Sequence, residues 1–217
     1  MKKMIHACIF FSLYALSGYA QKAEDLFTSN DVKISWMGVD FSHIKLIGSF
    51  SQVQGVGEQS PSQVKNTYFL SWNQLIVNEQ KKYNLREMIR KENLFYDIDM
   101  IMGINAKTPL EDMESASYNT PDYKIEDIAK FVSGYNTEGK SGIGILFLAE
   151  SFNKAAEEAF VHFVALNLST KEILIHQRIK GKPRGFGLRN YWAGAIYSVI
   201  KEIRGYYKEW KAQYSKK

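Results

Sequence analysis

The stretch Gly142–Ala149 has the sequence GIGILFLA, and it decides the fold. It is apolar throughout and partly β-branched, which is typical of a strand covered on both faces of a sheet. Its eight residues are too few to cross a bilayer, since a spanning helix needs about 20 apolar residues. A strand buried on both faces needs a layer of structure on each side. We therefore expect helices and further strands around it.

A hairpin and one long helix are predicted after this strand. The hairpin strands are Glu157–Leu168 and Glu172–Lys180, joined around Ser169-Thr170-Lys171. Beyond them, apolar residues from Leu188 to Tyr214 recur at steps of three and four, with most basic residues off that stripe. This periodicity predicts a C-terminal helix of about seven turns that packs on the core.

The residues before the central strand predict a mixture of elements. The expected strands are Val32–Val39, Ile44–Phe50 and Leu94–Ile104, the expected helices Val64–Lys82, Leu85–Glu92 and Ile125–Tyr135, and the expected loops Ser51–Gln63 and Asn105–Lys124. No internal repeat or composition break marks a second domain. The order predicts an α+β fold, a single domain over 32–217. Its mixed β-sheet has about five to six strands with a C-terminal hairpin, covered by helices including a long C-terminal helix.

The first twenty residues have the features of a secretory signal peptide. Lys2 and Lys3 precede the apolar run Met4–Leu16, and small residues end the segment at Ala20. We therefore predict an exported protein, periplasmic or extracellular after cleavage near Ala20. The polar residues 21–31 are expected to form a flexible leader.

Cysteine usage limits the chemistry of the exported chain. Cys8 is the only cysteine, and it lies inside the predicted signal. The residues before it match a lipoprotein signal poorly, but a lipid anchor through Cys8 stays an open alternative. The chain after cleavage would contain no disulfide, thiolate metal site or cysteine nucleophile. No transmembrane span is predicted in it, because no later apolar run is long enough.

Charge is distributed unevenly along the chain, whose formal net charge is +5. Residues 171–217 carry twelve Lys and Arg against three Asp and Glu, a net +9. Residues 21–170 carry fourteen Lys and Arg against twenty Asp and Glu, a net −6. A basic C-terminal end favours an anionic partner, or it is a solvated charged face.

Positive charge is densest in Arg178–Asn190, where the last strand is expected to become the long helix. Cations beside a helix N-terminus are unfavourable unless they are solvated or paired with an anion. This segment is the candidate contact site for an envelope protein or an anionic ligand, and a solvated structural linker is the alternative. We call five of its residues the basic corner: Arg178, Lys180, Lys182, Arg184 and Arg189.

The histidines of the hairpin are not expected to share a metal. If Thr170-Lys171 is a two-residue turn, the residue numbers of each pair opposite one another in the hairpin add up to 341. His162 is then opposite Ile179, and His176 is opposite Ala165. The two side chains then point to opposite faces of the sheet. A three-residue turn would reverse this. No metal site and no cofactor are predicted.

Two groups of polar residues contain the residue types of a hydrolase. Asp40-Phe41-Ser42-His43 holds an acid, a hydroxyl and an imidazole, but neighbours on an extended chain point apart, which favours a turn. Asp97 and Asp99 would share one strand face about 7 Å apart, a spacing that glycosidases use. Glu111-Asp112-Glu114 adds acids without the spacing of a calcium loop. No catalytic residue is predicted from these patterns.

From Gly142 onward, the segments GIGILFLAESFN and FVHFVALNLSTKEILIHQRIKGK precede the long helix. This half resembles envelope domains similar to the amino-terminal domain of TolB, and the related penicillin-binding-protein activator lipoproteins. Thr170-Lys171-Glu172-Ile173-Leu174 corresponds to their hairpin. The chain also resembles uncharacterised secreted bacterial proteins through Gly185–Trp192. The first resemblance implies a non-catalytic envelope module that works by protein contacts, although the chain lacks the lipobox of the activator lipoproteins.

Three functions are compatible with the sequence. The favoured one is a secreted or periplasmic, non-catalytic binding module that contacts another envelope component through the basic corner. The first alternative is a hydrolase of envelope or extracellular polymers that uses carboxylates from the 97–114 region. The second is a small-ligand carrier, which needs an apolar cavity. Nucleic acid is not an expected partner.

Overall fold

The computed structural model of the chain describes residues 21–48, 50, 60–111, 113–115 and 119–215. The predicted signal peptide with Cys8 lies outside the described residues, as does most of the predicted loop Ser51–Gln63. Seven strands are present in the described part: β1 (Ile34–Asp40), β2 (Lys45–Ile47), β3 (Leu94–Tyr96), β4 (Glu114–Ser115), β5 (Ile143–Asn153), β6 (Glu158–Asn167) and β7 (Ile173–Gly181).

Helices cover this sheet. They are α1 (Asp25–Thr28), α2 (Pro61–Gln63), α3 (Leu70–Asn78), α4 (Leu85–Ile89), α5 (Asp99–Ala106), α6 (Ile125–Ser133) and α7 (Gly187–Tyr214), with a π-helical segment Val64–Phe69 between α2 and α3. The predicted α+β architecture is confirmed, including the mixed sheet, the C-terminal hairpin and the long last helix. The described sheet has seven strands rather than five to six, because the short strand β4 joins the six that the sequence predicts.

β5 is the central strand of the sheet. It pairs antiparallel with β6 along one edge, and β7 then pairs with β6. Its other edge is shared by two parallel strands, with β1 along Ile143–Leu148 and β2 along Ser151–Asn153. β3 and β4 extend the sheet beyond β1 and β2. Every residue of β5 is buried, as the apolar sequence of its first half predicts.

The larger core lies on the face that α7 covers. Phe152 stacks on Trp192 with ring centroids 4.4 Å apart, and Phe163 stacks on Trp210 at 4.9 Å. Ile203 of α7 is also fully buried. Burying one large apolar side chain contributes about 1.5–3 kcal/mol, so this stripe fixes α7 to the sheet. The predicted core-facing stripe of the last helix is confirmed.

The second face carries a smaller apolar cluster. Leu146 and Leu148 of β5 and Val164 of β6 pack there with Ile128 and Val132 of α6. The apolar cluster gives way to charged side chains beyond Leu148, where β5 continues past its apolar run.

Three predictions about the N-terminal half need correction. The predicted strand Leu94–Ile104 is β3 followed by α5, because its apolar residues from Ile98 onward fall at helical spacing and pack as a helix. The 21–31 leader contains α1, whose Leu26 and Phe27 are buried in the main core. The predicted helix over 64–82 begins with α2 and ends at Asn78.

Two buried asparagines hold the end of β1, where β3 no longer pairs with it. Asn73 accepts a hydrogen bond from the Val39 N–H (2.7 Å) and donates to the Val39 carbonyl (3.0 Å). Asn105 accepts from the Phe41 N–H (2.7 Å) and also donates to the Val39 carbonyl (2.9 Å). These amides replace a missing strand, since buried backbone groups need partners.

Gly38 makes room for this arrangement. Its φ is +111°, in the region that glycine adopts readily, and a Cβ at this position would lie 2.7 Å from Asn73 Oδ1. Gly38 is the residue directly after Met37, which forms a bulge where the pairing of β1 with β5 shifts by one residue.

Among the described residues, no helix combines the length and apolarity needed to cross a membrane.

Replacing Asn73 by alanine is expected to lower the free energy of unfolding by about 2–3 kcal/mol, because the buried Val39 N–H loses its partner. Urea denaturation of the purified protein measures this. The matched control is Asn66→Ala, since Asn66 is exposed and bonds only to Ser62, so its loss should cost little. Equal losses in the two variants would contradict the role of Asn73.

Candidate functional site

Glu150 continues the line of Leu146 and Leu148 on the second face of the sheet, and a β-bulge at Glu150 turns the following Phe152 to the main core. The register between β5 and β6 shifts between Ala149 and Ser151, so Glu150 is the extra residue of β5. Bulges re-aim side chains and are frequent beside functional sites. The Glu150 side chain is completely buried, as is that of Asp40 on β1.

Arg178 and His162 surround the Glu150 carboxylate. Arg178 binds it with two hydrogen bonds, from Nε to Oε2 (2.9 Å) and from Nη2 to Oε1 (2.6 Å). His162 Nε2 donates to Oε2 at 2.8 Å. Arg178 Nη2 also donates to the Pro121 carbonyl (3.2 Å), and the Tyr123 N–H lies 3.4 Å from Oε2. We call Glu150, His162, His176 and Arg178 the buried charge cluster.

The two hairpin histidines lie on the same face, contrary to the prediction. His162 pairs with Arg178 and Val164 pairs with His176, so paired positions sum to 340. The cause is a bulge in β7: Leu174 is an extra residue, so the sum changes from 339 beside the turn to 340 at the histidines. An odd sum, as in the predicted register, places the two histidines on opposite faces, and the extra residue reverses this.

His162 Nδ1 and His176 Nε2 are 2.8 Å apart, and their rings stack at 5.0 Å. Because His162 donates Nε2–H to the carboxylate, its neutral form can only accept at Nδ1, from His176 Nε2–H. The pair holds one additional proton without breaking this bond. Two additional protons would place two N–H groups against each other.

The surroundings shift the pKa of two cluster members. Burial alone would raise the pKa of the Glu150 carboxyl, but hydrogen bonds and positive charge from Arg178 and His162 lower it below its ordinary value. Burial, and then the charge of neighbouring His162, lowers the pKa of His176 to about 4. The cluster therefore contains an ionised carboxylate and a neutral His176 near pH 7.

A second polar group lies close to this cluster. The buried Asp40 accepts hydrogen bonds from the Tyr135 hydroxyl and from the Ser42 N–H. Burial, the charge of Asp40 and this hydrogen bond raise the pKa of Tyr135 well above its ordinary value. The His43 ring stacks on Phe131 with centroids 3.5 Å apart. Asp40 and His43 are thus engaged with different partners, and Asp40 accepts from the backbone of the following turn.

Tyr123 connects the two polar groups. Its hydroxyl donates to the His43 carbonyl (2.9 Å), and its ring lies 6.3 Å from that of His162. The segment before α6 therefore covers the buried charge cluster with Pro121 and Tyr123. This segment belongs to the connection Asn105–Lys124, which the sequence marks as a polar loop.

The buried charge cluster has little capacity for acid–base chemistry. A general base needs a free lone pair within reach of a substrate proton and a pKa near the working pH. The Glu150 carboxylate is occupied by Arg178 and His162, and its pKa is lowered rather than raised. His162 has both ring nitrogens engaged, so it has none left for a nucleophile. This pattern is that of a structural ion pair.

The carboxylates of the 97–114 region do not share one strand. Asp97 follows β3 and forms an ion pair with Lys140, whereas Asp99 begins α5. Their predicted spacing on one strand face is therefore wrong. Glu111 and Glu114 are exposed, and Asp112 lies outside the described residues.

The structure divides the basic corner into two parts. Arg178 belongs to the buried charge cluster, and Lys180 forms an ion pair with Glu158 on the neighbouring strand. Lys182, Arg184 and Arg189 are exposed and form no ion pair with any residue that the structure describes. These three cations remain available for a partner.

The exposed part of the corner is held firmly against α7. The Arg184 N–H donates to the Tyr191 carbonyl (3.1 Å), and Trp72 Nε1 donates to the Arg189 carbonyl (2.9 Å). Gly194 lets the two segments approach, since a Cβ there would lie 2.1 Å from the Arg184 carbonyl oxygen. Phe186 is 77% exposed between the cations. The loop thus presents an aromatic ring and three charges on a rigid support.

Within the described ranges, no group of three or more His, Cys, Asp or Glu side chains is arranged to hold a metal ion.

Comparison with known proteins gives no relative. No protein-family model matches the sequence, and no curated protein or solved structure matches the chain. The resemblance to envelope domains of the TolB amino-terminal type therefore stays a prediction.

Sequence reasoning missed Glu150. A signal was present: the residue directly after the apolar run GIGILFLA is a charged one, and the strand continues through Ser151 and Phe152. An acid inside a doubly covered strand needs a cationic partner, since a charge is rarely buried alone. The partners Arg178 and His162 could be found only with the correct hairpin register.

Replacing Glu150 by glutamine is expected to lower the free energy of unfolding by about 3 kcal/mol at pH 7, because it leaves Arg178 without its buried counter-charge. Urea denaturation measures the loss. Glu158→Gln is the matched control, since it removes an ion pair with the exposed Lys180 and should cost less than about 1 kcal/mol. Similar losses in both variants would show that the cluster does not stabilise the fold.

The free energy of unfolding is expected to fall as the pH drops from about 6.5 toward 4. Unfolded His176 titrates near 6.5 and folded His176 near 4, so the unfolded chain takes up the proton first. His176→Gln keeps an N–H donor for His162 but removes this titration. Its slope between pH 6.5 and 5 should be shallower by at most about 1.4 kcal/mol per pH unit.

Solvent reduces that difference, because His176 is only partly buried. Denaturation of both proteins at pH 8, where His176 is neutral in the folded and the unfolded chain, measures how much the substitution changes the free energy of unfolding apart from titration. That difference is subtracted before the pH slopes are compared. Burial also lowers the pKa of His43, which stays in both proteins and cancels in the comparison. Identical slopes in the two proteins would rule out His176 as a source of the pH dependence.

Proposed function

We propose that this protein is an exported, non-catalytic binding module of the cell envelope. Its partner is an envelope protein or an anionic ligand, and the contact is made by the exposed part of the basic corner. The features of a signal peptide at 1–20 support export.

One contrast carries the proposal. The groups with the chemistry for catalysis, above all Glu150 and His162, are buried and bound to each other and to Arg178. The cations of Lys182, Arg184 and Arg189 are instead exposed beside an exposed aromatic ring, Phe186. Aromatic and Arg side chains are enriched where proteins bind one another.

The corner places an exposed aromatic ring among cations, which favours a protein or ligand that carries acidic groups around an apolar group. Arg guanidinium groups bind carboxylates and phosphates with two parallel hydrogen bonds. Phe186 would bury its ring against the partner. The hydrogen bonds to Tyr191 and from Trp72 already hold the loop in place, so little conformational entropy is lost when it binds.

A photo-crosslinking residue at Phe186 is expected to capture a discrete envelope component in cells that produce the protein. The position tolerates the change because the ring is mostly exposed. Arg184→Ala with Arg189→Ala should abolish the crosslink. The same crosslinker at Leu70, which is 49% exposed outside the corner, is the matched control and should give no adduct of that size.

Two results would contradict the proposal. The first is a corner-dependent adduct that fractionates with cytoplasmic proteins, which opposes export. The second is hydrolysis of an envelope polymer by the purified protein that Glu150→Gln abolishes while the variant stays folded, which opposes a non-catalytic role.

A further inference from the structure

A row of cations lies along one side of α7, away from the basic corner. Lys201, Arg204, Lys208 and Lys211 follow one another at steps of three, four and three residues. This spacing stacks side chains on one helix face, over a length of about 15 Å. The two acids of the helix, Glu202 and Glu209, each come one residue after a lysine of the row. They therefore project about 100° around the helix from it.

A second row of cations faces the first from the segment around α4. Its members are Lys81, Arg86, Arg90 and Lys91. Arg204 Nη1 lies 3.1 Å from Glu87 Oε1, and the Arg90 guanidinium lies 4.7 Å from the centroid of Tyr207. These contacts place the segment alongside α7, so the two rows form one surface. We call it the basic strip.

The strip brings like charges together. Burial, together with the positive charge of Lys211, lowers the pKa of Lys91. Lys208 and Lys211 form no ion pair within the described part of the chain. The two acids on the strip, Glu87 and Glu92, do not balance its eight cations. Facing cations that outnumber the acids between them repel one another, and a bound polyanion reduces that repulsion.

Arg90 occupies a strained position on the strip. It ends α4 with φ +50° and ψ +44°, the left-handed conformation in which glycine is favoured. A residue with a Cβ costs about 1–2 kcal/mol there. Strain of this kind is concentrated at ligand sites, and here it holds a guanidinium group at the rim of a cavity.

The cavity lies between the two rows and has a volume of about 660 Å³. Lys81, Asn84, Arg86, Arg90 and Arg204 are among the residues that line it. Binding sites for small molecules commonly measure about 300–1,000 Å³, so the space suits one or two sugar units. The lining also includes Glu87, which pairs with Arg204, and Glu92. Its cations outnumber these two acids, and guanidinium and ammonium groups bind carboxylates and sulfates.

We propose that the basic strip binds a linear acidic polysaccharide, with one anionic unit in the cavity and the following units along the α7 row. This surface goes beyond the function proposed above, since none of its residues belongs to the basic corner. The cations of the α7 row lie along a line rather than around one point, which suits an extended polysaccharide chain with a charge on successive units.

The aromatic side chains of the strip favour a polysaccharide over a nucleic acid. Single-stranded nucleic acids are bound by exposed rings on which bases stack. Tyr83 and Tyr207, which lie beneath the strip, are 0% and 5% exposed, and the half-buried Tyr197 is in contact with Lys201 (4.6 Å) and edge-on to Tyr83. A lipid surface is also disfavoured, because the exposed large apolar residues Leu70, Phe95, Ile125 and Phe186 are not members of the strip.

Calorimetric titration of the full protein with polygalacturonate and heparin oligomers tests the proposal. We expect at least one of them to bind, with an affinity that falls as salt rises. Lys201→Gln, Lys208→Gln and Lys211→Gln combined should weaken binding about tenfold or more and make the salt dependence shallower. The three lysines are exposed, so the variant should keep the wild-type unfolding midpoint.

The matched control replaces three exposed lysines elsewhere, Lys22, Lys107 and Lys130, by glutamine, which changes the net charge equally. It should alter the affinity less than about twofold if binding is localised to the strip. A neutral dextran oligomer should not bind. Arg184→Ala with Arg189→Ala should leave the titration unchanged. The basic corner is tested by crosslinking and the basic strip by titration, so the failure of one proposal can be distinguished from the failure of the other.

Several outcomes would overturn the proposal. They are no binding of either oligomer, equal losses in the two triple-lysine variants, and strip-dependent binding that is tighter for a single-stranded DNA oligomer. Strip-dependent binding to phosphatidylglycerol vesicles without binding to either polysaccharide would assign the surface to a membrane instead.

Discussion

The ion pair between Glu150 and Arg178 is the constraint on which the second half of the sheet depends. A carboxylate enclosed in the central strand is tolerable only with a cation fixed against it, and that cation comes from β7, two strands away. The pair therefore fixes the register of the whole hairpin. It also orients His162, which lies between the two strands and bonds to the same carboxylate oxygen as Arg178 Nε. Because these groups satisfy one another, the sheet gains a defined register and loses the means for acid–base chemistry.

The central strand and the last helix were predictable from local sequence. The uninterrupted apolar run before Glu150 indicates a doubly covered strand, and β5 is buried along its full length. The steps of three and four after Leu188 indicate the long last helix, and α7 has that extent. Both patterns depend on one segment alone, which is why they hold without knowledge of its neighbours.

The errors come from features that depend on distant contacts. The apolar run beginning at Leu94 fits a strand or a helix, and only its packing against β1 decides for a helix from Asp99. The hairpin register is a similar case, because a bulge at Leu174 shifts it by one residue between the turn and the histidines. That extra residue places His162 and His176 on the same face, whereas the predicted register has them on opposite faces. The candidate site could be predicted only in part: Lys182, Arg184 and Arg189 are exposed, as a contact site requires, but Arg178 faces inward to Glu150.

The bulge at Glu150 has a consequence for the history of this sequence. The extra residue cannot be deleted without turning the residues that follow to the other face. Loss of any one of Glu150, His162 and Arg178 would leave the others without a partner, so we expect relatives to keep all three. Their separations of 12 and 28 residues form a short pattern by which a distant relative can be recognised, even where apolar strands and helices have diverged beyond comparison.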